Sequence, residues 1–117
     1  MSINLDFSSI PNRDPLDEGT YTFEIKSAEL KTAQSGNQMI CIRFNELESD
    51  KAVFENYVLT EKCLWKLKEL LDALGMDTSA GLDFEPSEIV GEFVKGKVIQ
   101  DEYEGKITNR MKKVYAA

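Results

Sequence analysis

Residues 19–31 read GTYTFEIKSAELK. Tyr21, Phe23 and Ile25 alternate with Thr22, Glu24 and Lys26, the period of a strand with one buried face. The phase then slips, because Ala28 and Leu30 are apolar at even positions where the odd ones had been. One extra residue near Ser27 accounts for the slip and predicts a β-bulge in a long, bending strand. A strand of that kind can serve two halves of a curled sheet.

Towards the C-terminus, TAQSGN (32–37) is a turn. Met39–Leu47 is a second strand, with Ile40, Ile42 and Phe44 on one face and Met39, Cys41, Arg43 and Asn45 on the other. Glu46–Lys51 is a charged connection, and AVFENYVL (52–59) is a third strand rich in β-branched and aromatic residues. The period then changes. Thr60 suits a helix N-cap and Glu61 the first turn. Leu64, Leu67, Leu71 and Leu74 make the buried stripe, widened by Cys63 and Leu70, and Gly75 ends the helix. Residues 76–85 read as loop and 86–91 as a single helical turn. Phe93–Tyr103 and Lys106–Tyr115 are the last strands, joined by a tight turn at Glu104-Gly105. Towards the N-terminus, Pro11 and Pro15 forbid regular structure. Residues 1–18 are therefore an arm whose Ile3, Leu5, Phe7 and Ile10 pack on something, and 19–117 form one domain.

The order is all-β with one helix, placed between strands 3 and 4. It fits a five-stranded Greek-key barrel of the OB type, in which a bulged first strand turns a corner. An open sheet with one packed helix fits the same pattern.

With 117 residues, 42% hydrophobic and 30% charged, the chain is one globular domain. It has no apolar run long enough for a membrane and no leader pattern, so a cytoplasmic location in a bacterial host is expected. Cys41 and Cys63 are then expected as reduced thiols. The absence of histidine removes the commonest general base and most zinc sites. No phosphate-binding glycine loop is present. Asp101, Glu102 and Glu104 crowd a hairpin turn, where carboxylates are ordinarily solvated. No enzyme activity, cofactor or metal is expected. The net charge of −7 conceals an asymmetry: residues 95–117 hold six Lys or Arg against three Asp or Glu, a local +3. A basic end on an acidic body suits an anionic partner, and equally a solvated last strand.

Four stretches carry a resemblance: GTYTFEIKSAELKTAQSGNQMI, YVLTEKCLWKLKELLDALG, EIVGEFVKGKV and EYEGKITNRMKKVY. In this order the chain resembles phage-encoded OB-fold proteins similar to single-stranded-DNA-binding proteins, many filed as a domain of unknown function. The resemblance implies a replication or recombination accessory that coats single-stranded DNA, with phage replication or recombination proteins as further partners and a homo-oligomer compatible. It departs from bacterial single-strand-binding proteins in lacking an acidic C-terminal tail. The alternative is a protein-interaction or assembly module whose barrel binds no nucleic acid.

A single-strand groove needs cations along the backbone and aromatic faces for bases. In an OB barrel it lies over strands 2 and 3 and the flanking loops. That mapping selects Lys31, Ser35 and Asn37 from the first loop, Arg43 and Tyr57 from strands 2 and 3, and Tyr103 and Lys106 from the last hairpin. Lys106, Arg110 and Lys112 share one face of strand 5 with Thr108, opposite Ile107, Met111 and Tyr115. They read as a phosphate-tracking stripe or as a solvated face. Tyr21, Phe23, Phe44 and Phe54 are expected in the core. Trp65 falls opposite the leucine stripe. It awaits cover from Phe7 or Ile10 of the arm, or from a partner.

Overall fold

The computed structural model describes residues 2–4, 15–79 and 84–117. Five antiparallel strands, β1 (Gly19–Thr32), β2 (Gln38–Glu46), β3 (Ala52–Val58), β4 (Phe93–Tyr103) and β5 (Lys106–Ala116), form one sheet in the order β3-β2-β1-β4-β5. A helix, α1 (Leu64–Ala73), follows β3, and a short 3-10 turn at Pro86–Ile89 precedes β4.

The bulge in β1 organises the sheet. Pairing with β2 shifts between Ile25 and Ser27, leaving Lys26 as the extra residue. The N-terminal part of β1 pairs with β4 from Gly19 to Glu24, and its C-terminal part pairs with β2 out to Thr32. At the bulge, Ile25 exchanges backbone hydrogen bonds with Gly91 and Glu92, which lead into β4. The phase slip thus keeps Phe23, Ile25 and Ala28 facing the same core.

The core also takes Ile40, Ile42 and Phe44 of β2, Val53 and Tyr57 of β3, Val94 and Val98 of β4, and Leu67, Leu70 and Leu71 of α1. Helix α1 begins later than the sequence suggests. Thr60 contributes its carbonyl to a preceding turn, and Cys63 is the cap residue without a side-chain bond. Gly75 closes the helix at φ 79°, with its N–H on Asp72 and the Met76 N–H on Leu71, a Schellman motif. Glu104 and Gly105 both take positive φ, as a two-residue hairpin of matching twist requires.

Barrel closure and Greek-key topology are not seen: β3 and β5 are the edges of an open sheet, with no backbone ladder between them. Side chains span the seam instead. Glu55 reaches from β3 to accept the Met111 N–H of β5 at 2.6 Å, and Glu69 of α1 accepts the Val114 N–H at 2.8 Å. These carboxylates occupy edge donors that a ladder would have used. Glu55 is buried, with Lys66 at 3.2 Å and Arg110 at 3.4 Å neutralising it.

Leu16, within the stretch 1–18, packs into the core. Leu16 is buried, and Asn109 of β5 holds it in both directions, accepting from its N–H at 2.7 Å and donating to its carbonyl at 2.9 Å.

Candidate nucleic-acid interface

The outward faces of β2 and β3 alternate with their core faces. On β2 they carry Met39, Cys41 and Arg43, and on β3 Phe54, Asn56 and Val58, in directly opposed pairs. Arg43 stands opposite Phe54, and its guanidinium carbon lies 5.8 Å from the centre of the Phe54 ring. The ring is 65% exposed. The Arg43 Nε donates to Asn45 Oδ1 at 3.0 Å, and the Asn45 amide donates in turn to Asp50 at 2.8 Å. That chain orients a cation beside a bare aromatic face, and Arg43 has no carboxylate partner among the described residues.

Phe54 is not in the core, as its type suggests, and Tyr57 is not on the groove. Tyr57 is 1% exposed, so it offers no face to a base. Burial pushes its phenol well above the ordinary tyrosine range, and the carboxylates of Glu55 and Glu69 add to that effect. The two aromatics exchange roles because β3 turns Val53, Glu55 and Tyr57 inward. In AVFENYVL both phases contain apolar residues, and a glutamate argues against the phase that is in fact buried. Only the seam, which supplies Glu55 with an N–H and two cations, makes that phase favourable.

Lys31, Ser35 and Asn37 cluster at the β1–β2 turn, about 13 Å along the strands from Arg43. Lys31 is paired with Glu29 at 3.5 Å, and the Asn37 amide donates to the Ser35 hydroxyl at 3.3 Å. Lys106 lies on the other hairpin, next to Tyr103, whose side chain is outside the described residues.

The stripe expected along β5 is broken. The β4–β5 register shifts between Lys97 and Val98, which pair with Lys113 and Met111, so Lys112 is an extra, bulged residue. Met111 and Val114 both face the core, Ile107 is exposed, and Tyr115 is turned to the outer face beside Lys95. Arg110 is bound to Glu55 across the seam and lies 3.8 Å from Asp101. Trp65 is 65% exposed, as its helical angle requires, and lines a groove with Val114, Tyr115 and Ala116. Phe7 and Ile10, its suggested cover, lie outside the described residues.

Among the described residues there is no group of three or more His, Cys, Asp or Glu able to hold a metal, and no helix long and apolar enough to cross a membrane. Cys41 and Cys63 are free and half-buried.

The fold and this surface define a mostly β domain of five strands and one helix, with an outward-facing arginine–phenylalanine pair. Residues 3–116 match the family described as a protein of unknown function, DUF669, and the chain belongs to that family. No curated protein matches the chain.

Proposed function

We propose that the protein is a single-stranded-DNA-binding accessory of phage replication or recombination, built on an OB-type sheet whose last closure is made by side chains. The exposed Phe54 ring beside Arg43 carries this reading. A base stacks on an aromatic face, and the adjacent guanidinium meets its phosphate. The β1 strand shared between β2 and β4, and the approach of β3 to β5 through Glu55, support the OB-type arrangement.

Fluorescence anisotropy with labelled oligothymidine, at low and then rising salt, tests it. The expected result is salt-sensitive binding at micromolar or tighter affinity. Phe54→Ala should weaken it by about 1–3 kcal/mol. Arg43→Gln should reduce the salt slope by about 0.7. No binding at low salt overturns the proposal and leaves the second reading, a protein-interaction module. The exposed Trp65 beside Tyr115 favours that reading, and Trp65→Ala would then change the oligomeric state.

A further inference from the structure

On the other half of the sheet, three lysines converge where sequence alternation did not group them. Lys97 of β4 stands directly opposite Lys113 of β5, and Lys95 directly opposite Tyr115. On the β1 side the same rows continue into Thr20, opposite Lys97, and Thr22, opposite Lys95. The Lys113 ammonium lies 5.4 Å from the centre of the Tyr115 ring. Among the described residues no carboxylate comes within ion-pair distance of Lys95, Lys97 or Lys113.

The neighbouring acids are mostly engaged elsewhere. Glu24 pairs with Lys26, Asp101 faces Arg110, and Glu46 accepts the N–H groups of Glu48 and Ser49 in its own turn. Glu46 and Glu48 line the same depression as Thr20, Thr22 and Lys95, and neither comes within ion-pair distance of a lysine among the described residues.

Directly opposed like charges destabilise a sheet. In a chain of net charge −7, with carboxylates in excess, that arrangement calls for a reason. Protection of a sheet edge accounts for Lys113 on the edge strand β5 but not for Lys95 and Lys97, because β4 is an interior strand between β1 and β5. An anionic ligand does: it relieves the repulsion between Lys97 and Lys113 and accepts hydrogen bonds from the threonine hydroxyls.

We infer that this outer face of β1, β4 and β5 is a second phosphate-binding surface, over which a DNA single strand continues after leaving the Arg43–Phe54 face. The inference rests on the proposed DNA-binding reading. From Phe54 to the Lys97–Lys113 pair the path crosses four strand spacings and about seven residues of β1, on the order of 30 Å. A short oligonucleotide therefore occupies only the first face, and a long one reaches both. The lysine face is rich in charge and poor in aromatics, so it contributes salt-dependent affinity more than base preference.

The test compares oligothymidines of about 4 and about 24 nucleotides, at the lower limit of and above the site sizes of a single groove. Lys97→Gln/Lys113→Gln should bind the long strand roughly tenfold more weakly, with a salt slope lower by about 1.4, and should bind the short strand as the wild type does. Its melting temperature should equal or exceed that of the wild type, since the repulsion is gone. Lys97→Gln alone should give about half the change in slope and serves the same comparison. Phe54→Ala should weaken both lengths. If the wild type binds and the double variant retains its affinity and slope on the long strand, this inference fails and the Arg43–Phe54 reading stands. Equal loss on both lengths also overturns it, because that marks a general charge effect. If the wild type binds neither length at low salt, both readings fail.

Discussion

The two edge strands treat alternation differently. β3 keeps strict phase through its seven residues, so Val53, Glu55 and Tyr57 go in and Phe54 and Asn56 go out. β5 breaks phase at Lys112, so Met111 and Val114, three positions apart, both reach the core. On β3 the apparent violation is chemical, a buried glutamate. On β5 it is geometric, a bulge. Each departure serves the same seam: Glu55 crosses it from one side, and Met111 offers its N–H from the other. Where the edge strands meet without a ladder, side-chain carboxylates supply the acceptors that regular pairing would have given to the Met111 and Val114 N–H groups.

The largest expected effect comes from removing the β3 half of this arrangement. Glu55→Ala should destabilise the fold by about 2–4 kcal/mol, since the Met111 N–H is left without its acceptor, while Lys66 and Arg110 can turn to water. Glu55→Gln, which keeps an acceptor, should lose about half as much. Urea denaturation measures both, and equal stability of the alanine variant and the wild type would mean that the seam does not depend on this side chain. On the β5 side, Asn109→Ala removes both hydrogen bonds to Leu16 and should lose about 1–3 kcal/mol in the same assay.

The smallest effect separates the inward from the outward aromatic of β3. Tyr57→Phe should leave oligothymidine affinity unchanged, whereas Phe54→Ala weakens it. The folded state holds the Tyr57 proton that the unfolded chain releases near its ordinary value of 10.0. The contribution to stability is therefore complete below about pH 10 and declines as pH rises beyond it. Tyr57→Phe should show a shallower alkaline loss of stability. A curve parallel to that of the wild type would place the phenol in solvent.

Much of the fold is legible in the chain. Within β1, the slip between Ile25 and Ala28 marks the bulge at Lys26, and the leucine spacing marks the buried face of α1. Leu64 is an exception: it lies on the predicted stripe yet is exposed. The site is less legible. Lys31, Ser35, Asn37 and Arg43 are exposed, but Tyr57 and Phe54 are interchanged between core and surface, and the Lys106–Arg110–Lys112 stripe is interrupted. A second bulge, near Lys112, leaves a single residue as its trace in the sequence: Val114 is apolar at an even position after Ile107 and Met111 at odd ones, and Tyr115 restores the odd phase at once.

The sequence by itself determined the kinds of element, their order and most of their ends, because side-chain periodicity, capping and turn residues act over a few neighbouring positions. Tertiary structure decided which face of β3 is buried, where β5 changes phase, how the two edges meet and which lysines stand together. Those outcomes depend on partners far apart in the chain. Glu55 is stable inside only because Met111, Lys66 and Arg110 are brought to it, and Lys97 faces Lys113 only in the register that the β5 bulge creates.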